Sequence, residues 1–170
     1  MINSPSEFFR ETSDMAIRFL AGTDHHNVAK LFQKTGFTCE LETEKGSFFE
    51  SLILDEEDLL VRLKIYWGIS VNAEYRSEIE AFIKNINGFL SEICSVSIED
   101  SGRILSIAEL SYEERALSCA DFEKAEKACY VAINLFSNAA AKINCCGEID
   151  ADDFSAIIDS FYQTGEQSNE

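Results

Sequence analysis

From Phe37 to Trp67 the residues alternate between apolar and polar in a way that predicts three consecutive β-strands. Its clearest run is Leu60 to Trp67. There Val61, Leu63, Ile65 and Trp67 fall on one side, and Arg62, Lys64 and Tyr66 on the other. Phe37 to Glu42 alternates in the same way, and the turn Glu44-Lys45-Gly46 leads into a second strand from Ser47 to Leu54. Apolar side chains on both faces of that strand suit a central position in a sheet. Asp55 to Asp58 is an acidic turn. A run of carboxylates suggests calcium, but this one lacks converging spacing and a glycine pivot, so a solvated type I turn is expected. Gly68 lets the chain leave the sheet.

A sheet with one apolar face needs a cover, and the remaining periodicity is helical. Ser4-Pro5-Ser6-Glu7 starts a helix from Pro5 to Ala21, with Ser4 as cap and Phe8, Phe9, Met15, Ile17, Phe19 and Leu20 as apolar surface. A second, short helix is expected from Asn27 to Lys34, on Val28, Leu31 and Phe32, ending at Gly36. Asn72 caps a helix striped by Tyr75, Ile79, Phe82, Ile83 and Ile86, with Gly88 as its stop. Phe89 to Glu99 reads as a fourth strand, Asp100-Ser101-Gly102 as a hairpin turn, and Arg103 to Tyr112 as a fifth strand. Ser118 with Asp121 opens the longest helix, striped by Phe122, Ala125, Cys129, Ala132, Ile133, Phe136, Ala140 and Ile143, and ending near Asn144 before Gly147. Asp150 caps a last helix from Ala151 to Tyr162, with Phe154, Ile157, Ile158, Phe161 and Tyr162, and Gln163 to Glu170 is expected to fray. This is an α+β chain, expected to be one domain over 1–170: a helical extension over 1–22, an α+β core over 24–143, and a C-terminal helix and tail over 148–170.

Charge narrows the partners. The net charge is −17, from 31 acidic and 14 basic residues. Such a body is repelled by phosphate backbones and anionic bilayers, so neither nucleic acid nor membrane is an expected partner. The amino terminus has no signal-peptide pattern, and no apolar run has the length of a membrane span, so a cytoplasmic location is expected. The cysteines are Cys39, Cys94, Cys119, Cys129, Cys145 and Cys146, with no C-x-x-C pair. Cys39, Cys94 and Cys129 fall on strand alternation or a helix's apolar stripe and read as buried free thiols of a reducing compartment, and the vicinal pair Cys145-Cys146 is where redox activity or a soft metal would be sought, though neither is expected.

Candidate chemistry is sparse. Gly147 to Phe154 imitates the second half of an EF-hand loop, but Lys142 occupies the position of the first carboxylate ligand, so no metal is assigned and Asp150 is read as a helix cap. No phosphate-binding glycine loop or nucleophile elbow occurs, and no cofactor is indicated. His25 and His26 are expected at an exposed junction or as caps, which leaves no His-based catalytic set. Trp67 is expected in the core and Tyr66 on the sheet surface.

The order helix, three strands, helix, two strands, helix resembles the YbjN family of bacterial proteins, which shares its fold with type III secretion chaperones. The residues that carry it are the helix ending at Gly36-Phe37, the hairpins from Phe48 to Tyr66, and Ile86-Asn87-Gly88-Phe89-Leu90 leading into Val96 to Ile104. The likeness covers roughly Asp24 to Ile143. It implies a helix, a three-stranded antiparallel meander, a helix, a β-hairpin and a long helix. Together these make a five-stranded twisted antiparallel sheet packed by helices, here with extra N- and C-terminal helices. It further implies a homodimer that binds an extended segment of a protein partner.

The expected function is therefore a non-enzymatic protein-binding module, chaperone-like or a regulatory adaptor. The alternative is a small-molecule sensor or minor enzyme with a pocket between the sheet and the long helix. A weaker third expectation is a toxin-neutralising or immunity partner. No catalytic residue is assigned. Arg62, Lys64 and Tyr66 form the candidate interaction surface, since they are the outward side chains of the best-defined strand.

Overall fold

Tight turns join the strands that alternation predicts, so strands adjacent in sequence pair antiparallel. The computed structural model describes residues 5–22, 24–31, 34–44, 46–90 and 94–166. It places β2 (Gly36–Thr43), β3 (Gly46–Asp55) and β4 (Leu60–Ser70) in the expected meander. In the acidic turn, the Asp55 carboxylate accepts hydrogen bonds from the N–H groups of Glu57 and Asp58. That acidic run thus shapes its own turn.

The helix expected over Asn27 to Lys34 is instead an edge strand, β1 (His25–Lys30), paired antiparallel with β2. The sheet therefore has six strands and not five, in the order β1-β2-β3-β4-β6-β5. The physical reason is local. A helix so short is marginal by itself, whereas β2 offers an unpaired edge of backbone groups. A hairpin closes the pair, with the Leu31 N–H bonded to the Gly36 carbonyl at 3.0 Å. Asn27 takes φ 54°, beside a register shift between His26 and Ala29.

On the far side β4 pairs with β6 (Arg103–Ser111), and β6 with the outermost strand β5 (Cys94–Ile98). The expected fourth strand is thus shorter at both ends: the N–H groups of Phe89 and Leu90 bond to the Ile86 carbonyl and extend a helix end. The outer edge of β5 is clipped. Asn87 donates from Nδ2 to the Val96 carbonyl at 2.9 Å and accepts the Val96 N–H at 2.7 Å.

The helices are α1 (Pro5–Leu20), α2 (Arg76–Asn87), α3 (Cys119–Cys146) and α4 (Ala151–Glu166). The last continues beyond Tyr162 to Glu166. The Ser4 cap, Phe32, Lys45, Ile93 and the tail 167–170 lie outside the described residues, as do the side chains of Phe161 and Tyr162. Asn72 accepts the Glu74 N–H and so caps a 3-10 turn, Ala73–Tyr75, that leads into α2. All four helices feed one apolar core on a single face of the sheet. From the sheet come Cys39, Leu52, Leu63, Ile65 and Trp67, and from α3 come Ala125, Cys129, Ala132, Ile133 and Phe136. Small residues at several of the α3 positions let its axis approach the strands, while phenylalanines fill the flanks. Trp67 satisfies its indole by donating to the Ser106 hydroxyl at 2.8 Å.

Ser118 and Asp121 cap α3 reciprocally, and Gly147 ends it in the left-handed region at φ 82°. The Asp121 carboxylate is held well below the usual carboxylate range by its bonds to Arg115, against some opposing burial, and by the Ser118 N–H and hydroxyl. Ser118→Ala is expected to cost about 1 kcal/mol. Asp121 adds a pH dependence of definite sign. Its acid form is disfavoured in the folded chain, so its contribution is complete above the unfolded carboxylate pKa and is lost as pH falls below it. In urea titrations, the gap between wild type and Asp121→Asn should be open at pH 7 and shrink progressively below about pH 4. A gap that does not change with pH would reject this account.

Candidate functional site

Two places stand out, one on each face of the sheet. The first is the face that carries no helix among the described residues. Alternation along β4 turns Arg62, Lys64 and Tyr66 toward it, as expected. Their circumstances differ. Arg62 is fully engaged, donating to Asp55 at 2.7 Å, Asp58 at 2.9 Å and Glu109 at 2.8 Å. These bonds tie the acidic turn to β6. Tyr66 lies between the Phe49 ring, 5.4 Å away, and the Arg103 guanidinium, 4.4 Å above its centroid, and donates its hydroxyl to Glu99. Lys64 makes no ion pair among the described residues. Phe49, not singled out from the sequence, is 45% exposed beside them. Its signal was available, because it is the outward phenylalanine of a strand whose inward phase is filled by Phe48, Leu52 and Leu54.

The second place is buried against α3. His25, expected in an exposed junction, is turned inward by β1, where it pairs in register with Leu41. Its side chain is only 4% exposed. Nε2 bonds to Glu126 of α3 at 2.7 Å, 101 residues away in sequence. Cys39 and Glu50 are cross-strand partners on the inner phase of β2 and β3. Glu50 is fully buried, and neither of its carboxylate oxygens has a hydrogen-bond partner; the nearest imidazole nitrogen is 3.7 Å away. Nδ1 of His25 is also buried without a partner. Nitrogen, sulfur and oxygen of His25, Cys39 and Glu50 lie within 4.8 Å of one another. Glu126 connects this cluster to an open groove of about 540 Å³ between β2 and α3, which Tyr130, Lys127, His26 and Glu42 help to line. His26 itself is exposed.

Each ionisable group there is displaced from its ordinary behaviour. Burial disfavours the charged imidazole of His25, but the hydrogen bond to Glu126 and the negative charges of Glu50 and Glu126 outweigh it and carry the pKa up to about 9. Burial, and then the charge of Glu126, raise the carboxyl of Glu50 against the pull of His25. Cys39 is pushed up to about 12, first by burial and then by the charges of Glu50 and Glu126. A thiol so disfavoured as thiolate is a poor nucleophile, although the fold sets it near an imidazole. Cys94 and Cys129 are buried as expected, and Cys145 and Cys146 are exposed at the end of α3. In the stretch that imitates a calcium loop, Lys142 donates to Asp153 at 2.6 Å, and Asp150 accepts the Asp152 N–H as a cap.

An antiparallel six-stranded sheet with helices on one face and an open opposite face defines an α+β class of fold. No family model and no curated protein matches this chain. Among solved structures, a chain of the crystallised ExsC–ExsE complex shares the fold, with TM-score 0.50 and 13% identity, covering 80% of this chain and 95% of that one. No helix among the described residues is long and apolar enough to cross a membrane.

Proposed function

We propose that this chain is a non-enzymatic protein-binding module, chaperone-like or a regulatory adaptor, that acts in the cytoplasm as a homodimer. The observation that carries the reading is the open sheet face, where exposed Phe49 packs on Tyr66 and Lys64 makes no ion pair among the described residues. Aromatic residues that expose a flat apolar surface with a polar rim are what protein interfaces select. The fold is shared with a chain of the crystallised ExsC–ExsE complex, an assembly of two different proteins, and a protein partner is the corresponding expectation for this chain. The charge of −17 favours a partner with a basic face. Arg62 serves this surface indirectly, by fixing the acidic turn beside it.

The test compares wild type with Phe49→Ser/Lys64→Ser, using the tagged chain in lysate of its own cells. Wild type should retain a specific protein that the double variant loses, while both melt at similar temperatures. Retention that survives the double variant, or no specific retention at all, would remove the reading. A second reading is a small-molecule sensor, and the groove between β2 and α3 that ends on Glu126 favours it. A thermal-shift response to a metabolite that disappears in Tyr130→Ala would select that reading instead.

A further inference from the structure

We propose that His25, Cys39 and Glu50 form a binding site for a zinc-class divalent metal ion, closed on the groove side by Glu126. The donor set is imidazole nitrogen, thiolate sulfur and carboxylate oxygen, the combination that a borderline-soft cation selects over magnesium or calcium. The first three groups converge from three adjacent strands, and the fourth comes from α3. Tetrahedral zinc keeps its ligand atoms about 3.3–3.8 Å apart. His25 Nε2 and Glu50 already stand at 3.7 Å. The widest separation in the triad, at most 4.8 Å, closes with a side-chain adjustment of about 1 Å.

The independent observation is Glu50. A carboxylate with no exposed surface and no hydrogen-bond partner on either oxygen, met only by the His25 imidazole at 3.7 Å, is a costly thing to keep in a core. A cation coordinated by Glu50 satisfies it and turns the buried carboxylate from a liability into a ligand. On binding, the ion displaces the Cys39 thiol proton and the proton on the ligating His25 nitrogen, which leave to solvent through the groove, so that thiolate and neutral imidazole bind the metal. Glu126, about one-fifth exposed, moves from its bond with His25 to the metal or to a metal-bound water in the groove. The bound ion fastens β1, the otherwise exposed edge strand, to β2, β3 and α3 at once. This site is separate from the open sheet face and from the stretch near Gly147, and it stands whether or not the protein-binding reading does.

The test uses the full chain carrying Cys145→Ser and Cys146→Ser, so that the two exposed thiols cannot contribute. After chelator treatment, cobalt(II) should bind at one equivalent with the visible bands of tetrahedral coordination and a thiolate-to-metal charge-transfer band. Zinc should displace it and raise the melting temperature. Cys39→Ser should abolish the charge-transfer band. Glu50→Gln, a near-isosteric change, should weaken zinc binding at least about 100-fold and remove the melting shift. No cobalt spectrum in the parent chain overturns the site, whatever the variants do. A charge-transfer band that persists in Cys39→Ser, or full zinc affinity in Glu50→Gln, overturns it equally.

Discussion

Phe136→Ala is expected to cost about 3–5 kcal/mol, a large part of the stability of a chain of this size. Phe136 has no exposed surface. Its ring meets the edge of Phe82 at 6.4 Å, and Phe82 meets Phe154 of α4 at 6.1 Å. Phe136 is thus the α3 end of an aromatic chain that runs through Phe82 of α2 to Phe154 of α4, and its removal leaves a cavity beneath Phe82. In urea the midpoint should fall by at least about 1 M with little change in slope. A loss below about 1.5 kcal/mol would mean that α2 and α4 repack freely, and that the aromatic chain is not a structural unit.

Gly36→Ala is the second large effect, and its origin is backbone rather than core. Gly36 pairs with Ile53 across β2 and β3. A Cβ built there would overlap the Leu52 carbonyl oxygen and stand 3.1 Å from the Ile53 Cα. Both obstacles are main chain, so no rotamer change relieves them, and the strands must part. The cost is expected at about 2 kcal/mol or more, in the upper half of the range for overpacking. Gly46→Ala gives the contrast, since nothing lies within 4 Å of a Cβ there and only its φ of 118° opposes the change. Thermal melts should place Gly36→Ala below Gly46→Ala. The reverse order would mean that the β2–β3 pairing yields more easily than the turn.

Those two sites show which parts of the molecule the residue pattern reveals. The stripe containing Phe136 was legible because a long amphipathic helix repeats its apolar residues over many turns, and its caps at Ser118 and Gly147 are chemically distinctive. The meander was legible because β3 and β4 alternate against a buried face. Gly36 was visible as a break, but the pattern assigned it to a helix end when its role is a close strand approach. Strand β1 was missed for a related reason. It is an edge strand exposed along nearly all its length, so neither face carries an apolar period, while Val28, Leu31 and Phe32 happen to fall at helical spacing.

The buried cluster went unseen because it depends on that strand. Only when His25 is placed opposite Leu41 does it point at Glu126, which no local pattern links to it. Glu50 left a signal that could have been used: a lone acid in the inward phase of Phe48, Leu52 and Leu54 is out of place unless something meets it. On the open face, the alternation placed Arg62, Lys64 and Tyr66 correctly in space. It could not tell that Arg62 is occupied by three carboxylates while Lys64 is not, because Glu109 lies on a strand distant in sequence.

The side-chain clip of Asn87 on Val96 has a consequence for how copies of the chain can meet. A ladder of sheets grows without limit only when each molecule offers two free edges, one to receive and one to donate. Here one end of the sheet is β5, already bonded by its own chain's amide, and the other is β1. Joining two copies edge to edge through β1 leaves a clipped strand at both ends of the continuous sheet. There Asn87 already holds both backbone groups of Val96, so a further copy must displace it before a strand can be added on that side.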